Sequence, residues 1–161
     1  MVIFRPDYFI DGDITDIDLD RLEKDGLRGL ILDLDSTLMA PRAGMLTPEA
    51  EQWLNKARLQ FKVAVVSNNH RDAYLKNIAR DLDMTVIGNA FKPCRKSFFI
   101  VLNEFQLQAS EVAVVGDRPL TDVWGGQRAG MKTVLVRPLK TIVEPSWKTS
   151  IRNLERLLAR R

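Results

Sequence analysis

The sequence holds a single cysteine, Cys94, which excludes an internal disulfide and any cysteine-rich metal site. Cys94 therefore reads as a bystander thiol. Its one histidine, His70, either faces solvent at a helix start or touches substrate at the rim of a site. No apolar stretch approaches the roughly 20 residues that span a bilayer. The opening Met1-Val2-Ile3-Phe4 meets Arg5-Pro6-Asp7 too soon for a signal peptide, so the expected location is cytoplasmic, or peripheral at a membrane. Internal repeats, low-complexity tracts and linkers are lacking, and the 161 residues are expected to form one domain, 1–161. The acidic series Asp11, Asp13, Asp16 and Asp18 lacks the glycine position and closing glutamate of an EF-hand loop; caps and turns account for it.

What is present is ordinary globular material, 45% hydrophobic and 28% charged, long enough for one continuous core. The net charge of +3 is unevenly spread, with acids crowding the N-terminal part and Lys148, Arg152, Arg156, Arg160 and Arg161 crowding the C-terminal part. A basic surface favours anionic partners, phospholipid or nucleic acid. No aromatic stacking platform is evident, which argues against nucleic acid.

Compact apolar runs at 28–34, 62–66, 84–87, 112–115 and 132–136 read as buried strands. Between them lie helical patterns. Thr47-Pro48-Glu49 is a helix-start signature leading to about Leu59. Segments 71–82, 96–107 and 121–129 follow, the last despite Gly125-Gly126 and ended by Gly130. A short helix near Asp18 to Asp25 is stopped by Gly26. Strands alternating with helices predict an α/β fold, a parallel sheet covered on both faces.

Polar groups of a few types gather at the ends of these strands, where open α/β sheets place their ligands. Asp33 ends the first strand and Asp35 follows two residues later; for both carboxylates to face one site the chain must bend after Asp33. A carboxylate nucleophile can take a phosphoryl group as an aspartyl-phosphate, and a second carboxyl can act as acid and then base. Two anions meeting require help. Mg²⁺ held by carboxylate oxygens would offset the repulsion, and Asp117, at the end of another strand, supplies a further metal ligand. Lys92 and Ser67, the latter next to Asn68, would hold the equatorial oxygens of the phosphoryl group. Asp122 would orient Lys92 or a metal-bound water.

In order and context, Asp33-Leu34-Asp35-Ser36-Thr37-Leu38, Ser67-Asn68, Lys92-Pro93 and Gly116-Asp117 with Thr121-Asp122 resemble the four motifs of the haloacid dehalogenase (HAD) superfamily of phosphatases. The resemblance implies a HAD-like Rossmannoid three-layer sandwich with a parallel five-stranded sheet of order 3-2-1-4-5. It also implies Asp33 as nucleophile and Asp35 as acid/base. Mg²⁺ would be held by Asp33, Asp117 and the backbone carbonyl of Asp35, phosphate would be bound by Ser67, Asn68 and Lys92, and Thr37 and Asp122 would support them. Too little chain separates the motifs for a cap domain. An open site suits substrates that bring their own bulk: proteins, nucleic acid ends, lipid headgroups, or a neighbouring subunit acting as lid.

The resemblance narrows to the YqeG-type, capless IIIA group, through Pro6-Asp7-Tyr8, Asp16-Ile17, Lys24-Asp25-Gly26-Leu27-Arg28-Gly29 and the basic pair after Lys92-Pro93. Relatives of that group include phosphatidylglycerophosphate phosphatases. The implied activity is a Mg²⁺-dependent phosphomonoesterase with phosphatidylglycerophosphate as leading substrate, hence a role in phospholipid biosynthesis. A soluble sugar or nucleotide phosphate, or a nucleic acid 3′-phosphate, is the alternative. Ser36 stands where most of the group carries asparagine. Outside enzymes, a receiver-like phosphoacceptor would need adjacent acids after a strand, which are lacking, and an inactive HAD scaffold would give no reason to keep the full set of polar groups.

Three features leave two readings each. Arg95-Lys96 binds a second phosphate or starts a solvated helix. Trp124 walls the site or packs in the core. The segment 147–161 sets Trp147, Ile151, Leu154 and Leu158 along one helical face, with basic residues on the others. It either docks on the sheet with its charges in water or lies on an anionic membrane.

Overall fold

The computed structural model describes residues 4–139 and 146–159. The leading Met1-Val2-Ile3 stretch, Arg160, Arg161, and the side chains of Trp147, Lys148 and Arg152 lie outside the described residues. In chain order the strands are β1 (Tyr8–Phe9), β2 (Gly29–Leu32), β3 (Lys62–Val66), β4 (Val86–Ile87), β5 (Val112–Gly116) and β6 (Lys132–Leu135). The helices are α1 (Leu19–Lys24), α2 (Pro48–Gln60), α3 (Asp72–Leu82), α4 (Lys96–Phe105), α5 (Trp124–Arg128) and α6 (Ser146–Ala159). A single π turn, Pro119–Val123, leads into α5.

All strand pairs are parallel, in the order β1-β6-β5-β2-β3-β4. Five of these strands follow the expected order. The sixth is a correction to the five-strand expectation: Tyr8–Phe9 adds itself outside β6. Two residues are too short for a period-2 pattern, and their pairing is set by the neighbour rather than by their own sequence.

Side-chain alternation builds a layer on each face of the sheet. Leu30, Leu32, Val65, Ala113 and Val115 share one core with Leu22, Trp53, Leu54, Leu75 and Ile78 of α1, α2 and α3. Ile31, Ala64, Val66, Val112 and Val114 share the other with Phe98, Val101 and Phe105 of α4. The helices begin where capping chemistry allows. The Thr47 side chain accepts from Ala50 N at 3.2 Å, with Pro48 at the first position. Asp18 caps α1 by accepting from Arg21 N. One helix, α2, lies between β2 and β3, and one, α3, between β3 and β4; among the described residues no inserted cap covers the strand ends.

The register levels those ends. Leu32 stands opposite both Val65 and Val115, and Asp33 N continues the ladder by donating to Val115 O at 2.9 Å. Asp33, Ser67 and Asp117 therefore leave the sheet side by side.

α6 corrects the docked-helix expectation. It is docked, but by charged residues: Glu155 is buried and Arg156 donates to Val136 O at 2.6 Å. Its leucines face outward. Among the described residues no helix is long and apolar enough to cross a membrane.

The glycines of α5 are explained by close approach. A Cβ on Gly125 would lie 2.9 Å from the ring of buried Phe98 and 3.2 Å from Pro93 Cα, next to Lys92. Alanine favours a helix over glycine by about 1 kcal/mol, whereas forcing an extra carbon into a packed core costs about 1–3 kcal/mol. Gly125→Ala is therefore expected to lower the melting temperature. A thermal unfolding curve at or above that of the wild type would show that helix propensity wins.

Candidate active site

The loop after β2 makes the bend that Asp33 and Asp35 require. Thr37 N, Leu38 N and Met39 N all donate to Leu34 O, at 3.3, 3.1 and 3.1 Å, and Ser36 N donates to Met39 O at 2.8 Å. Ser36 takes a left-handed φ of 69° inside this knot. Non-glycine residues occupy that region uncommonly, asparagine several times more readily than most. The turn brings Asp35 to the same cavity as Asp33.

At the centre of the cavity is Lys92, 6% exposed. Its Nζ lies 2.6 Å from Asp33 Oδ1 and 2.6 Å from Asp122 Oδ1. An ammonium has three donors, so one remains for a phosphoryl oxygen. Two devices fix the lysine. The Asn68 carboxamide clamps its main chain, accepting from Lys92 N at 2.6 Å and donating to Lys92 O at 3.1 Å. The clamp uses one of the two amide N–H groups of Asn68, so its side chain keeps a second donor. Asp122 is held in turn by Arg118 N, which donates to its Oδ2 at 3.1 Å. Gly116 makes room for this: a Cβ there would lie 2.2 Å from the Asp122 carboxylate.

The buried hydroxyl of Ser67 accepts from Asn69 N at 3.1 Å, leaving its own proton to donate into the cavity. Thr37 Oγ1 stands between two acids, 3.4 Å from Asp33 Oδ2 and 3.3 Å from Asp117 Oδ1. Asp33, Asp117 and Asp122 bring carboxylate oxygens within 4.8 Å of one another. Asp122 is turned to Lys92 and to Arg118 N, while Asp33 and Asp117 flank Thr37 Oγ1 and are the pair that would hold a metal ion. Hard carboxylate oxygens fit a cation such as Mg²⁺.

The cavity, about 450 Å³, is lined by Asp33, Asp35, Ser67, Asn68 and Lys92. Asn69, Arg42, Arg71 and Arg118 also line it and were missed from sequence. Asn69 donates to Asp35 Oδ2 at 3.0 Å and accepts from Arg71 N at 2.9 Å. Its signal was a second Asx residue directly after Ser67-Asn68. The three arginines carry no motif signal; only folding gathers them. His70 is exposed and sits in the lining, as the rim reading allowed. Trp124 is not part of the lining and packs edge-on against Phe4, 6.1 Å between ring centroids. Arg95 leans over the Phe99 ring.

Burial pushes the Asp33 carboxyl up to about 6, against the pull of the Lys92 ammonium. Burial alone would lower Lys92, but Asp122 and then Asp33 outweigh it and hold the lysine above its ordinary range. Above about pH 6 the folded protein thus carries an ionised Asp33 that burial disfavours. As pH falls through that value towards the ordinary 3.8, the folded state takes up the proton first and the cost fades. A carboxamide carries no such cost. Asp33→Asn is expected to raise the melting temperature of metal-free protein at about pH 8, by an increment that shrinks as pH is lowered towards about 4. An unchanged or lower melting temperature at the alkaline end would contradict this balance.

The family model described as haloacid dehalogenase-like hydrolase matches residues 4–130. The chain is 34% identical over 137 residues to the Bacillus subtilis (strain 168) protein named "Probable phosphatase YqeG", covering 84% of this chain and 78% of that protein. It is 31% identical over 158 residues to "Phosphatidylglycerophosphate phosphatase 1, chloroplastic/mitochondrial" of Arabidopsis thaliana, covering 92% of this chain but 45% of that protein. A crystal structure of an uncharacterized protein from Listeria monocytogenes serotype 4b shares the fold, with a TM-score of 0.58 at 21% identity over 84% of this chain and all of that one. With Asp33, Asp35 and Lys92 lining one cavity and the family model matching most of the sequence, the chain belongs to the haloacid dehalogenase-like hydrolases.

Proposed function

We propose that the protein is a Mg²⁺-dependent phosphomonoesterase that works through an aspartyl-phosphate on Asp33, with phosphatidylglycerophosphate as its leading substrate. The observation that carries the reading is the buried Lys92 ammonium joined to Asp33 and Asp122 in a cavity shared with Asp35 and Ser67. An Asp33 oxygen attacks phosphorus as the ester P–O bond breaks, and Asp35 delivers a proton to the leaving alkoxide. Water then attacks the acyl phosphate, Asp35 takes its proton, and inorganic phosphate leaves with Asp33 restored. Lys92 and Ser67 hold the equatorial oxygens throughout. Asn69 fixes one oxygen of Asp35, whose Oδ1 has no hydrogen-bond partner and is the atom available for the proton.

Asp33, Asp117 and the main-chain carbonyl of Asp35 would hold Mg²⁺, whose charge offsets the repulsion between carboxylate and phosphate. The lipid substrate is supported by the name of the Arabidopsis relative, of which this chain spans less than half. It is also supported by the open strand ends, which leave room for a bulky leaving group.

The test is phosphate release with Mg²⁺ from phosphatidylglycerophosphate in mixed micelles, alongside p-nitrophenyl phosphate. Both are expected to turn over, the lipid with the higher kcat/KM, and Asp33→Asn is expected to abolish both. Activity on the small ester alone would discard the lipid and point to soluble phosphates. Turnover retained by Asp33→Asn would refute the nucleophile.

A further inference from the structure

α6 is docked with the face that amphipathic helices normally give to water. Glu155, 4% exposed, accepts from Arg118 Nη2 at 3.1 Å, and Arg156 reaches Val136 O at 2.6 Å and the face of the Phe9 ring. The opposite face turns Ile151, Leu154, Leu157 and Leu158 outward, 43%, 60%, 61% and 51% exposed. Scattered surface leucines need no explanation, but a contiguous stripe on one helix marks an interaction surface. Ile151, at the head of the stripe, also lines the catalytic cavity, together with Arg42, Arg71 and Arg118, the last of which is paired with Glu155. The stripe and the arginines thus meet at one cavity mouth.

We propose that the outward face of α6 and the arginines at the cavity mouth form a seat for an anionic bilayer surface, from which the site takes its lipid substrate in place. Guanidinium groups match headgroup phosphates, and leucines beside them reach the apolar layer beneath. A second copy of this chain fits less well. A two-fold interface would set each protomer's cationic mouth near its own equivalent, a like-charge arrangement. The proposal rests on the phosphatase reading for the identity of the headgroup only; the seat itself does not require turnover.

The test uses the full chain. Sedimentation with phosphatidylglycerol vesicles and with phosphatidylcholine vesicles is compared for wild type, Leu154→Glu/Leu157→Glu, and Leu59→Glu. Leu59 lies on α2, away from α6 in sequence, and is 87% exposed. Wild type is expected to bind the anionic vesicles and not the zwitterionic ones. The double variant is expected to lose about tenfold or more in binding, and Leu59→Glu to bind like wild type. All three keep the same turnover of p-nitrophenyl phosphate. If the glutamates unfold α6, Leu154→Gln/Leu157→Gln probes the same stripe.

The proposal is overturned if wild type ignores anionic vesicles, or if the double variant binds as well as wild type. It is equally overturned if Leu59→Glu loses as much, which would reduce the effect to net charge. A wild-type dimer in light scattering that the double variant dissolves would assign the face to a second copy. Vesicle binding without ester turnover would refute the phosphatase reading and leave the seat standing.

Discussion

The buried ammonium of Lys92 is the interaction on which the site depends. A lysine almost never sits this deep without partners, and here two carboxylates at 2.6 Å compensate it. Each partner comes from a different strand end, Asp33 from β2 and Asp122 from beyond β5. The lysine itself arrives after β4 and is clamped from β3 by Asn68. Four strand ends must therefore be in register before the charge is satisfied, and removing both carboxylates would leave a buried, uncompensated ammonium. The small side of the same constraint is Gly116, where the absence of a Cβ lets Asp122 pass close to the backbone and reach the ammonium.

That arrangement explains why a destabilised carboxylate stands at the centre of a well-packed fold. Burial raises Asp33 and Lys92 only partly restrains it. Such tension is common where function requires a desolvated charge. The two apolar layers on either side of the sheet supply the rigidity that holds the acid in place, through residues such as Leu32, Val115 and Phe98. Keeping Lys92 charged also keeps a fixed positive group aimed at the position where phosphoryl oxygens would sit.

Much of this was legible in the sequence, for identifiable reasons. The buried strands are short apolar runs, and the helix starts at Asp18 and Thr47 carry their own capping chemistry. The acids, Ser67 and Lys92 were legible because they follow those runs at strand ends. What escaped notice was set by tertiary contact alone. The Tyr8–Phe9 strand exists because β6 offers an edge. Arg42, Arg71 and Arg118 share a cavity only after folding. The orientation of α6 escaped for a stronger reason. Periodicity finds an apolar face but assumes that it turns inward, whereas Glu155 and Arg156 find an arginine and a carbonyl oxygen at the domain surface.

The most direct test of the account is to look for the phosphoryl group on the enzyme itself. Wild-type protein turning over p-nitrophenyl phosphate with Mg²⁺ is quenched in acid within milliseconds to seconds, digested, and read by mass spectrometry for modified peptides. The account predicts a phosphate on Asp33, removed by hydroxylamine as an acyl phosphate is. A phosphate on another residue, or steady release of product with no phosphoryl-enzyme at any quench time, would contradict it.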